Sequence, residues 1–175
     1  MTVIRLHNED WGFETNCFVC EPRNDRGLRI PFFHDTGRGV VFADFELSDG
    51  FSGAPSLVHG GVTLAVLDEA MAWACIAVGK RWAVTTETST RFHRAVYVGK
   101  HYRVEAEVVD HTDPSDDQSI GTMHCTARVF DRHDQVRAEA TATFTTLGEA
   151  QAARLGAVVD ESTRGYVDGD AASAD

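Results

Sequence analysis

The sequence is poor in basic residues: 16 Lys and Arg stand against 27 Asp and Glu, a formal net charge of −11 over 175 residues. Nucleic-acid binding needs a basic stripe to meet phosphates, so that class is excluded. Docking on an anionic membrane surface is disfavoured for the same reason. Part of the acidity sits in the C-terminal tail, so the folded body is less extreme than the total. The opening MTVIRLHNEDWGF lacks an apolar run followed by a small-residue cleavage site, the pattern of a secretory signal. The apolar stretch Val62–Val78 is near the lower length limit for a membrane span. Its central Asp68-Glu69 pair costs roughly 2.5–3.5 kcal/mol per charge at a bilayer centre. A buried helix of a soluble protein is the better reading.

Four cysteines, Cys17, Cys20, Cys75 and Cys125, without a leader imply reduced thiols in a cytoplasm. Cys17-x-x-Cys20 is half a zinc site, but no second CxxC or HxxxH completes it, and no metal is expected. Cys75 and Cys125 fall on apolar faces and read as small core residues. The chain has no GxSxG, P-loop or HExxH, no internal repeat and no Pro- or Ser-rich linker. A chain of this length forms about one domain. Residues 1–147 are therefore one domain, with 1–27 packed on it. The tail, 148–175, is a short helix near 148–155 followed by disorder.

What is present is one helix among strands. LRIPFFH (28–34) and GVVFADFEL (39–47) read as strands, and SDGFSGAPS (48–56) as a loop. LVHGGVTLAVLDEAMAWACIAVG (57–79) is a helix, apolar on nearly every side. The pattern then changes from period 3.6 to period 2 in four strands at 82–96, 101–111, 119–131 and 136–147. Their short connections predict an antiparallel sheet. The class is α+β. A helix apolar all round needs a sheet curved about it, a second subunit over it, or both.

Asp68 and Glu69 lie mid-helix among Leu64, Val66, Leu67, Met71 and Trp73. A buried carboxylate must be partnered, partly solvated in a cleft, or protonated; catalysis and a structural ion pair are both consistent with that. His59-Gly60-Gly61 stands where the helix begins, and there the first amides lack internal acceptors. They can hold an oxyanion, or the glycines can simply relieve crowding at the junction. Nine residues separate His59 from Asp68, about 900° of rotation and ~13 Å of rise. One chain therefore cannot easily bring both to one carbonyl. If both act, the site lies across a dimer interface, twice by symmetry.

HGGVTLAVLDEAMAWA resembles the His-Gly-Gly motif, with Asp nine residues on, of hotdog-fold acyl-CoA thioesterases of the phenylacetate-pathway and thioesterase-superfamily-member type. NCFVCEPRNDRGLRI resembles the Cys-x-x-Cys-Gly, Asn-Pro-x-Gly-Leu segment found upstream in that group, and STRFHRAV the strand after the helix. The similarity spans roughly residues 16–147. It implies a five- or six-stranded antiparallel sheet wrapped around the helix, in dimers or dimers of dimers. It assigns Asp68 as general base or nucleophile, Gly60 as oxyanion donor, His59 as shaper of the turn, and Thr85 (seven before Phe92) as the positioning hydroxyl. Gly61, Glu69, Arg91 and Arg94 fall to substrate binding, and Arg91, His93, Arg94 and Lys100 are cations near the path of the CoA phosphates. Two positions depart from the pattern: Glu21 replaces a glycine and Ala95 a proline. The expected activity is hydrolysis of an acyl-CoA to a carboxylic acid and free CoA, with no cofactor. The alternative is a non-catalytic module that binds acyl-CoA or acyl-lipid.

Overall fold

The structure, a computed structural model, describes residues 2–112 and 121–158. Along the chain run strands β1 (Val3–Arg5), β2 (Phe33–Asp35), β3 (Val40–Glu46), β4 (Ser52–Ala54) and β5 (Leu57–Val58). Helix α1 (Gly60–Ala77) follows, then β6 (Trp82–Phe92), β7 (His101–Thr112), β8 (Thr122–Asp131) and β9 (Val136–Leu147), and a short α2 (Glu149–Arg154). Seven strands make one antiparallel sheet in the order β1-β2-β3-β7-β8-β9-β6, and β4 and β5 form a separate pair.

Alternation decides which face meets the helix. Tyr102, Val104 and Ala106 on β7, Met123, Cys125, Ala127 and Val129 on β8, and Ala138, Ala140, Ala142 and Phe144 on β9 are all buried. They join Val66, Leu67, Met71 and Trp73 of α1 in one core. Cys75 and Cys125 meet there, with their sulfurs 3.5 Å apart. By length and composition α1 could span a membrane, yet half of it is buried within the fold. The sheet covers only one side. Val62, Leu64, Ala65, Asp68, Glu69, Ala72 and Ile76 remain partly exposed.

Several details correct the reading of the sequence. The sheet has seven strands instead of five or six, because Val3–Arg5 pairs with β2. The segment 28–34 is a strand only from Phe33. Upstream of it, Leu28 and Ile30 donate to the carbonyls of Phe18 and Val19, and Pro31 has no N–H to offer a ladder. The helix starts at Gly60, because Leu57 and Val58 pair with β4. The strand expected over 82–96 ends at Phe92. Residues 119–120 and the disorder expected beyond α2 lie outside the described residues.

Candidate active site

The start of α1 is built by its own cap. The His59 ring accepts from the Gly61 N–H through Nδ1 at 2.9 Å, and the His59 carbonyl accepts from Val62 and Thr63. This leaves the Gly60 N–H, among the described residues, as the first-turn amide not taken by the cap. A methyl group on Gly61 would stand 3.1 Å from that ring nitrogen, which explains the second glycine as a packing need. The Gly61 amide is therefore engaged by His59 and not open to a ligand. His59, Gly60 and Gly61 are all exposed, and Gly60 lies against the Phe92 ring, a Cβ there being 3.6 Å from Cζ.

Asp68 lies half-exposed on the uncovered side of α1. The Thr85 hydroxyl donates to its Oδ1 at 2.9 Å. A bulge explains the aim. The β6–β9 register shifts between Thr85 and Glu87, and the Thr86 hydroxyl turns to the Thr143 carbonyl. Bulges of this kind re-aim a neighbouring side chain. The two residues that the resemblance assigned as base and positioning hydroxyl thus meet within one chain, while the His59-Gly60 turn stands at the start of α1, about 12 Å away along its axis.

Glu69 points elsewhere. The Cys17 thiol donates to its Oε1 at 3.4 Å, and Cys20 completes a cluster whose donor atoms all lie within 4.8 Å of one another. Burial, with the Cys17 sulfur beside it, pushes the Glu69 carboxyl up to about 8. Hydrogen bonding from Cys20 holds the Cys17 thiol well below the ordinary range, and Cys20 is raised in turn. Glu69 therefore belongs to the N-terminal turn and not to the Asp68 site. The sequence concealed this third donor because it arrives from α1, 52 residues along the chain.

The Cys17 turn is itself a built element. Asn24 is buried and its side-chain amide donates to the carbonyls of Asn16 and Cys17. Gly27 permits close packing, since a Cβ there would stand 2.5 Å from the Phe18 carbonyl oxygen. Glu21, the departure from the pattern, is buried and paired with Arg23 at 2.7 Å.

Among the cations, Arg91 and Arg94 flank Phe92 on the exposed end of β6, and Arg94 donates to Gln135. His93 is held by Glu139 at 2.9 Å. Lys100 lies apart from them, in a surface hollow of about 580 Å³ lined also by His101, Arg132, His133 and Arg137.

Residues 56–112, which span β5, α1, β6 and β7, match the family described as the thioesterase superfamily. The chain has the hotdog fold of thioesterase-superfamily structures. A solved thioesterase superfamily protein matches it at 22% identity and a TM-score of 0.61, covering 70% of this chain and 56% of that one. The E. coli PaaI protein from the phenylacetic acid degradation operon matches at 18% and 0.53, covering 61% and 75%. A hypothetical thioesterase of Streptococcus pneumoniae TIGR4, solved with coenzyme A, matches at 17% and 0.56, covering 63% and 80%. That pneumococcal protein was also solved with one aspartate and with one threonine changed to alanine. At these identities the likeness is one of fold, and the alignment with the first protein spans about half of its length. No curated protein sequence matches the chain.

Proposed function

We propose that this protein hydrolyses acyl-CoA thioesters at sites shared between two copies of the chain. The observation that carries the reading is the Thr85–Asp68 hydrogen bond on the same helix whose first turn holds the uncapped Gly60 amide. Asp68 takes a proton from water as the water oxygen attacks the thioester carbonyl carbon. The Gly60 N–H receives the negative charge that develops on the carbonyl oxygen. The C–S bond then breaks and CoA leaves as the thiol, taking up the proton. Thr85 fixes one carboxylate oxygen so that the other faces the water. The solved pneumococcal structure with coenzyme A supports a CoA ester as substrate.

The need for two copies follows from distance. Asp68 and Gly60 of one chain are about 12 Å apart along α1. Strand β6 is an edge of the sheet, eleven residues long and exposed on both faces over most of its length. Such an edge is a template for another strand. Antiparallel pairing of two β6 strands about an axis near Thr88 and Ser89 sets Thr85 opposite the partner's Phe92, and so sets Asp68 near the partner's Gly60. The apolar residues left exposed, Val84 and Phe92 at 39% and 52%, would be covered in that joint.

The test is the release of free CoA from a panel of acyl-CoAs by the purified protein and by Asp68→Asn, which keeps the shape and removes the base. Equal turnover by both proteins would end the assignment.

A further inference from the structure

The cluster of Cys17, Cys20 and Glu69 has no part in that chemistry. The two thiols sit on one turn, and the carboxylate reaches them from the middle of α1, with Cys17 Sγ 3.4 Å from Glu69 Oε1. Zinc–sulfur and zinc–carboxylate bonds of ~2.3 and ~2.1 Å put tetrahedral donors roughly 3.5–3.8 Å apart, and this cluster lies within 4.8 Å. The donor chemistry, two thiolates and one carboxylate, is that of zinc and not of magnesium or calcium.

The surroundings suit thiolates. The Val19 backbone N–H donates to the Cys17 sulfur, and the Asn8 side-chain amide to the Cys20 sulfur, each at 3.4 Å. Outer-shell donors of this kind orient metal ligands and temper their charge. All three donors are half-buried, so ionising them together requires a cation among them. A hollow of about 220 Å³, lined by Asn8, Cys20, Glu21 and Trp73, opens beside Cys20 and gives a route in from solvent. The Trp73 indole N–H, buried and without a hydrogen-bond partner among the described residues, belongs to the same wall.

We propose that Cys17, Cys20 and Glu69 bind one zinc-class divalent cation, with the fourth position left to water or to the Asn8 amide oxygen. The ion clamps the N-terminal turn to α1, one residue from Asp68 in sequence. The proposal stands apart from thioester hydrolysis, and its readouts do not involve turnover.

Cobalt(II) titrated into the reduced full-length protein should produce a thiolate-to-metal charge-transfer band that saturates at one equivalent and is displaced by zinc. Cys17→Ser and Cys20→Ser should each abolish the band. Asn8→Ala should weaken binding about tenfold, and Glu69→Gln by at least as much. Cys75→Ala, which alters the buried pair, should leave the band intact. Should a serine variant misfold, the parent protein still decides: zinc should protect Cys17 and Cys20 from alkylation and a chelator should expose them, as read by peptide mass. The proposal is overturned by a parent protein that gives no band, by a band undiminished in either serine variant, or by alkylation indifferent to zinc.

Discussion

Removing the Thr85 hydroxyl tests whether it acts through Asp68 or on its own account. The bond is 2.9 Å long and its acceptor is a carboxylate. Hydrogen bonds to charged groups contribute about 1.5–3 kcal/mol, so Thr85→Ala should lower kcat/KM by roughly 10- to 150-fold. Losing the base is worse: general base catalysis contributes about 10²- to 10⁴-fold, or about 3–5.5 kcal/mol, and Asp68→Asn should fall in that range. Because one residue serves the other, the losses should not add. In an Asp68→Asn background, Thr85→Ala should cost less than about tenfold, and Thr85→Ser should restore most of the parent rate. The assay is initial-rate release of free CoA, detected with a chromogenic thiol reagent, across the four proteins of the cycle. If Thr85→Ala costs as much in the Asp68→Asn protein as in the parent, the two residues are independent and the reasoning about the bulge fails.

Ser89→Lys sets two like charges against each other at the proposed axis of the β6 joint, so sedimentation should show dissociation together with loss of turnover; a monomer with full activity would refute the shared site. Gly79→Ala places a methyl 2.7 Å from the Cys75 carbonyl oxygen and against Met123, an overpacking worth about 1–3 kcal/mol. A chain of this size should then melt roughly 2–12 °C lower, and an unchanged melting curve would show that the helix end yields freely. Asp131 accepts from the backbone N–H groups of His133 and Gln135 and from Arg137. Burial works against its ionisation, yet those donors outweigh burial and hold it at about 2. A carboxyl depressed on folding stabilises above its unfolded value of 3.8 and loses that contribution as pH falls toward 2. The stability advantage of the parent over Asp131→Asn should therefore be full at neutral pH and vanish between about 4 and 2 in urea titrations; an advantage that persists at pH 2 would contradict the sign.

The long strands and the helix were legible because their periods are local. Met123, Cys125, Ala127 and Val129 repeat every second residue, and each repeat turns the same way. The small edge strand Val3–Arg5 was not legible. Three residues carry too little pattern, and what makes them a strand is Phe33–Asp35 alongside. The Asp68 and Thr85 pairing could be foreseen only through resemblance, since 17 residues and a change from helix to strand separate them. Glu69 misled for a related reason: adjacent residues on a helix point ~100° apart, so neighbours in sequence entered different environments.

The order of chemical groups along the chain thus determined the helix, the alternating strands, the capping turn at His59 and the distance that keeps Asp68 from Gly60. Only the folded molecule decided where those groups look. The bulge at Thr85 turned a hydroxyl onto Asp68, the sheet order left β6 as an open edge, and the packing of the Cys17 turn on α1 gave Glu69 its thiols. Those are contacts between distant segments, fixed by how surfaces pack and not by any local run of residues.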